Sequence, residues 1–251
     1  MVDRPRPRLL TFAPMIDSEL SRLVLRYHAI EFDEQDHIFG WASLLTLLYG
    51  GYGRIPILMA GGPALSGSQA IAEHFDRISE PGRRLFPTDQ PAMLRVEADF
   101  ALFNGSLGGD VAALCYFHML PQRSAMIELF GRPLPPAEKA LVPALYPSLQ
   151  WLFGTLLRLK AERMEDVVTR VRMVFDLVEE RSARPFLVGD RLTMSDLSFA
   201  ASAAPLIIPP GYTAPVPTFA MMPSALQNIS AELQAHPAAA RVRAVYELMP
   251  G

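Results

Sequence analysis

The 251-residue chain has little of what marks several common classes of protein. It holds one cysteine, Cys115, so no internal disulfide can form and a reducing compartment is the simplest expectation. Its formal net charge of -3 offers no electrostatic footprint for nucleic acid. No uninterrupted apolar run is long enough to span a bilayer; Ala200 to Pro210 is apolar but short and ends in prolines. A secretory signal is not expected. Arg4, Arg6 and Arg8 precede an apolar stretch from Leu9 to Ile16, but Pro14 interrupts it and Asp17 ends it. The five histidines, His28, His37, His74, His118 and His236, lack metal-ligand spacing, so no metal is expected. No glycine pair leads from a strand into a helix as a phosphate-binding loop does. What remains is a soluble, cytoplasmic protein expected to engage neither nucleic acid nor membrane.

Half of the residues are hydrophobic and a fifth are charged, a globular composition long enough for one large or two small domains. Leu9 to Phe12 reads as a first strand. A helix is predicted from about Ser18, with Leu20, Leu23, Val24 and Tyr27 on one face and Asp17 or Ser18 as its cap. Ile30 to Asp33 reads as a second strand. His37 to Tyr49 reads as a helix carrying Trp41, Leu44, Leu45 and Leu48, stopped by Gly50-Gly51. Ile55 to Met59 and Ala64-Leu65, joined by Gly61-Gly62-Pro63, form a hairpin. The next helix starts near Ser68, with Ile71, Phe75 and Ile78 in step. The order βαβαββα implies a mixed sheet with helices against both faces.

The chain then changes character. "SEPGRRLFPTDQP", from Ser79 to Pro91, packs three prolines, a glycine and four charges into one linker. Beyond it only helices are predicted, over 93–118, 164–178, 193–204, 225–233 and 238–248. Two proline-rich stretches, 131–143 and 204–223, read as loops between them. The expected division is an α/β domain over 1–80, a linker over 81–91 and an all-helical domain over 92–251.

Three segments carry a resemblance. "GRIPIL" places Pro56 after a buried apolar residue; alone, it fits a trans proline opening an edge strand. "LSGSQAI" opens a helix at Ser68, whose free N–H groups and positive dipole end suit a carboxylate. "FLVGDRLTMSD" pairs Thr193 with Asp196 as a reciprocal helix cap, a structural role. In order and spacing these resemble the soluble glutathione transferase family, in its bacterial form, over nearly the whole chain. The resemblance implies a thioredoxin-like N-terminal domain, an all-α C-terminal domain, glutathione as co-substrate, a homodimer, and attack on a small hydrophobic electrophile. In that family the proline bond is cis and turns the backbone of the preceding residue, here Ile55, toward the cysteinyl part of glutathione. Ser68 would grip its γ-glutamyl end. Gly67 stands where the family has an acid or an amide, and Arg54 where a basic or amide residue could meet the glycyl carboxylate.

The resemblance also locates the thiol-activating position just after the first strand, where a hydroxyl or a cysteine favours the thiolate. Aligned on Arg22, that position falls on Met15, which has no proton to donate. Ser18, three residues on, is the expected thiol-contacting hydroxyl, with capping of the first helix as its alternative role. Thr11 is a weaker candidate, and Phe12 lacks a hydroxyl. Cys115, in an apolar helix, is not expected to be a nucleophile. The electrophile pocket is expected to draw on Phe103, Leu107 and Tyr116, with Tyr212, Phe219, Met221 and Met222 of the 204–223 stretch. A binding protein of the same fold, or a glutathione-dependent isomerase, reductase or ether-cleaving enzyme, is the alternative.

Overall fold

The computed structural model describes residues 6–51 and 53–249; Arg4 of the basic N-terminal cluster lies outside them. Strand β1 (Arg8–Thr11) runs parallel to β2 (Asp33–Asp36) and antiparallel to β3 (Ile57–Met59). β3 pairs antiparallel with β4 (Leu65–Ser66), giving one mixed sheet in the order β2-β1-β3-β4. Helices α1 (Ile16–Tyr27), α2 (Phe39–Leu48) and α3 (Ser68–Ile78) alternate with the strands, so the order is βαβαββα as expected. Leu9, Leu10, Ile57 and Leu58 are buried in the sheet, and α1 packs on α3.

The second strand lies three residues later than its apolar pattern suggested. The paired residues are Asp-Glu-Gln-Asp, on the sheet edge, where only one flank is covered. An edge strand tolerates charge, and acidic residues there discourage pairing with another chain. Ile30 and Phe32, which mimicked a strand, instead pack half-buried against the core.

After a 3-10 turn at Pro81–Arg83, the described residues hold only helices and loops. α4 (Gln90–Phe100) passes through a π-helical segment (Ala101–Leu107) into α5 (Gly108–Met119) without a break. This 30-residue run is longer and more continuous than the sequence suggested, and by length and composition it could cross a bilayer. Here it packs against α8 (Ala161–Glu180) and α9 (Met194–Ile207). α6 (Arg123–Gly131), α10 (Ser224–Ala235) and α11 (Ala238–Glu247) complete the helical part, with α11 against α9. Thr193 and Asp196 form the expected reciprocal cap of α9, and Asp196 also accepts the Leu187 N–H at 2.8 Å.

The stretch 131–143 is not a loop. Helix α7 (Pro136–Leu156) starts within it and continues through Pro143 and Pro147. Pro136 sits in the first turn, where a missing N–H costs nothing. Pro147 frees the carbonyl of Pro143 four residues back, and the Arg123 guanidinium donates to that oxygen at 2.8 Å. Tyr146, between the two prolines, is buried and donates its hydroxyl to the Leu120 carbonyl at 2.5 Å. α9 likewise continues through Pro205, so the second proline-rich stretch is loop only from Ile208 onward, broken by a 3-10 turn at Phe219–Met221.

Candidate ligand-binding site

The turn between β1 and α1 meets the start of α3, and most of the expected site residues converge there. The Ile55–Pro56 bond is cis. Pro56 accepts the Gly67 N–H at 2.8 Å, and the β3 ladder begins beyond it, at Ile57. Gly67 has φ 86°, a left-handed value that strains any residue with a Cβ, so an acid or amide is disfavoured there on backbone grounds alone. Ser68 is buried at the first turn of α3. Arg54 is exposed, and its side chain makes no hydrogen bond or ion pair with the described residues.

The carboxylate seat at the start of α3 is filled from within the chain. Asp17 Oδ2 accepts the Ser68 N–H at 3.3 Å, and Oδ1 accepts the Ser68 hydroxyl at 2.5 Å and the Asn104 amide at 3.2 Å. A Cβ added to Gly67 would lie 3.7 Å from Asp17 Oδ2. The carboxylate absent from residue 67 is thus delivered by Asp17, from across the fold. Burial pushes the Asp17 carboxyl above the usual range, and the bonds from Ser68 and Asn104 hold it down in part. Asp17 forms no ion pair with a described cation; the partial positive charge of the α3 N-terminus is its nearest compensation. In sequence Asp17 offered itself only as a cap of α1, yet the α1 cap is Met15, without a side-chain bond.

Ser18 does not face a ligand. α1 begins at Ile16, so Ser18 lies inside its first turn, fully enclosed, and its hydroxyl donates to the Phe12 carbonyl at 3.0 Å. Its one proton fixes the β1–α1 turn, a structural role. Thr11 is equally enclosed, its hydroxyl held between Glu34 and Asp36. Met15, to which the resemblance assigns the thiol-activating position, has no side-chain donor.

Beside Asp17 opens a cleft of about 470 Å³. Phe12, Phe39, Tyr116 and Phe153 form its aromatic wall: Tyr116 stacks on Phe153 at 4.7 Å, and Phe39 lies 5.3 Å from Phe153. Met15, Leu156 and Leu157 add apolar surface, while Gly105 and Gly109 leave open space that a Cβ would enter without contact. Among the described residues Asp17 is the one charged group lining it, with Asn104 beside it on the π-helical segment. The Asn104 Oδ1 is buried without a partner among the described residues.

The expected pocket residues divide. Tyr116 lines the cleft, but Phe103 and Leu107 are core, Phe103 packed edge-on against Phe199 at 5.3 Å. Tyr212 and Met222 border a separate apolar cavity of about 70 Å³, shared with Cys115 and Tyr116. Burial pushes the Cys115 thiol up to about 12, which keeps it protonated and unreactive. Phe219 is exposed, and Met221 only partly covered.

Asp176, Glu179 and His236 bring their ligand atoms within 4.8 Å of one another on the opposite part of the chain. His236 Nδ1 accepts the Ala238 N–H at 3.2 Å, so Nε2 carries a proton and donates to Asp176 at 3.1 Å. This arrangement is a hydrogen bond from a neutral imidazole to a carboxylate, with no nitrogen lone pair left for a metal.

Glutathione can be tested against these residues. Its γ-glutamyl carboxylate would need the Ser68 N–H and hydroxyl, and Asp17 holds both. Its thiol would need a donor near Met15, and neither Met15 nor the enclosed Ser18 and Thr11 supplies one. As placed, the side chains of Met15, Ser18 and Thr11 offer a glutathione thiol no hydroxyl, and Asp17 occupies the carboxylate seat.

No protein-family model matches the chain, and no curated protein matches it by sequence. Solved structures do match its fold. A glutathione S-transferase from Sinorhizobium meliloti is 17% identical with TM-score 0.58, covering 98% of this chain and 96% of its own. One from Methylobacillus flagellatus, with glutathione bound, is 18% identical with TM-score 0.56, covering 95% and 93%. The β-etherase LigF from Sphingobium sp. is 17% identical with TM-score 0.56, covering 95% and 98%. The chain therefore has the glutathione S-transferase fold, a thioredoxin-like α/β part followed by an all-helical part.

Proposed function

We propose that this chain uses the glutathione S-transferase fold to bind a small, largely apolar molecule in the cleft beside Asp17, without activating a glutathione thiol. The observation that carries this reading is the Asp17 carboxylate on the Ser68 N–H and hydroxyl, in the place a glutathione carboxylate would take. The open cleft with its aromatic wall supports the apolar half of the reading. Gly109→Leu, which fills open space, is expected to abolish calorimetric binding of phenethyl alcohol, a neutral aryl probe, while leaving the melting temperature unlowered. Unchanged binding in that variant would place the ligand elsewhere.

A second reading keeps the catalytic role: a homodimeric enzyme that activates glutathione for attack on a small hydrophobic electrophile. The cis bond before Pro56 and the position of Ser68 at the start of α3 favour it. Ultraviolet absorbance of the thiolate separates the two. The binding reading expects the glutathione thiol to titrate alike with and without the protein. A downward shift in its presence supports the enzyme.

A further inference from the structure

The charge of the ligand can be read from the cleft. In the fold's usual arrangement, the start of α3 presents bare N–H groups and so favours an anion. Here Asp17 covers them, and the cleft meets a carboxylate instead. A carboxylate has about four lone-pair sites, and Asp17 uses three, two on Oδ1 and one on Oδ2. Oδ2 accepts only the long bond from Ser68. All its partners are neutral, and the described residues provide no cation to pair with it. A partly buried carboxylate in apolar surroundings is costly unless countercharge is supplied.

The walls suit such a countercharge. Aromatic rings present negative faces, which attract organic cations and offer anions nothing. Phe12, Phe39, Tyr116 and Phe153 pack together with centroids between 4.7 and 5.8 Å apart, and they line the same cleft as Asp17. Asn104, whose Oδ1 lacks a donor, adds an acceptor to the same wall. Asp17 and Asn104 thus place a charged and a neutral acceptor side by side in the cleft.

We infer that the cleft selects a small organic cation, an aryl- or alkylammonium, with its charge against Asp17 and its apolar body on the aromatic wall. This inference rests on the cleft being a ligand site, as proposed above, and adds the sign of the ligand. It also gives Gly67 a role. The left-handed backbone there leaves room for the Asp17 carboxylate to lie over the helix end.

Three probes of one shape and different charge test it: phenethylammonium, phenethyl alcohol and hydrocinnamate, titrated calorimetrically into the whole protein near neutral pH. The ammonium is expected to bind about tenfold more tightly than the alcohol, the equivalent of one buried charge contact, with the carboxylate weakest. Asp17→Asn should erase the ammonium preference, bringing ammonium and alcohol to equal affinity within that variant. Asp17→Ala should uncover the Ser68 donors and move the preference to hydrocinnamate. Equal binding of alcohol and ammonium by the wild type overturns the inference and leaves the cleft reading standing. Binding of none of the three at millimolar concentration overturns both. The wild-type comparison needs no variant to fold, and a melting curve shows whether each variant has folded.

Discussion

Replacing Arg22 by methionine should cost the protein about 3 kcal/mol of stability. Arg22 is 3% exposed and holds two carboxylates. Its Nε donates to both Glu34 oxygens at 3.0 Å, Nη2 donates to Glu34 Oε1 at 2.6 Å, and Nη1 to Glu19 Oε2 at 2.9 Å. Glu19 is fully buried and also takes the Tyr246 hydroxyl at 2.9 Å and that of Thr213 at 3.2 Å. The network ties the sheet edge to α1, to α11 and to the loop after α9. Burial alone would lower the Arg22 pKa, but Glu34 and Glu19 outweigh it and hold the guanidinium charged. Methionine keeps much of the volume and removes the charge. Glu34 is a quarter exposed and would turn to water, so its share of the loss is small. Glu19 would remain buried with hydroxyl donors only. Breaking one side of a buried pair costs about 3–5 kcal/mol, and the lower end applies because those hydroxyls stay. At about 2–4 °C per kcal/mol for a chain of this size, the melting temperature should fall by roughly 6–12 °C. Urea unfolding followed by circular dichroism at pH 7.5 gives the free energy, and thermal melts give the temperature. Adding Glu19→Gln to Arg22→Met should recover part of the loss at pH 7.5. A loss below about 1 kcal/mol, or no recovery in the double variant, would refute the buried-pair account.

Two further outcomes follow from the same region. The Asp36 carboxyl is held up at about 6, against 3.8 when unfolded, chiefly by burial and then by Glu34, with Thr11, Arg22 and His37 opposing. The folded chain therefore binds a proton that the unfolded chain has released between those values, and stability from this group is lost as pH rises through about 6. Asp36→Asn should be the more stable protein at pH 7.5, by on the order of 2–3 kcal/mol, with the gap closing toward pH 5 in paired urea titrations; a gap independent of pH would remove Asp36 as the cause. Ser18→Ala should lose about 1 kcal/mol through the lost hydroxyl bond, since the Phe12 carbonyl keeps the Met15 N–H at 2.9 Å, and leave probe affinity unchanged. A tenfold affinity change without loss of stability would return Ser18 to the ligand site.

The sequence carried the fold well because its signals were local. Leu20, Leu23 and Val24 mark one face of α1, and all three are buried. Thr193 and Asp196 are three residues apart, and their cap is present. The second strand was misplaced because an edge strand needs no apolar pattern, and "DEQD" carries none. α7 was missed because proline is read as a breaker, whereas Arg123, distant in sequence, takes up the freed carbonyl. The site was legible on one side only. Ile55, Pro56, Gly67 and Ser68 drew attention to the right corner, but Asp17 is 51 residues from Ser68 and Asn104 is 87 from Asp17. A carboxylate near the start of a helix reads as a cap for that helix, and nothing local says that it serves another. Gly67 was the nearest clue, since a missing acid at a helix start invites a search for one elsewhere.

The π-helical segment between α4 and α5 sets the phase of the long helix. A π turn is what one extra residue leaves inside an α-helix. Each residue advances an α-helix by about 100°, so deleting one from Ala101–Leu107 would restore regular bonding and turn the two halves of the rod against each other by that angle. The half before the segment packs on α9 and the half after it on α8 as well as α9. If both kept their packing faces, no regular helix could also hold Asn104 on Asp17 and Tyr116 on Phe153. The surplus residue thus works as a clutch in the rod, uncoupling the angular setting of the cleft wall from that of the core.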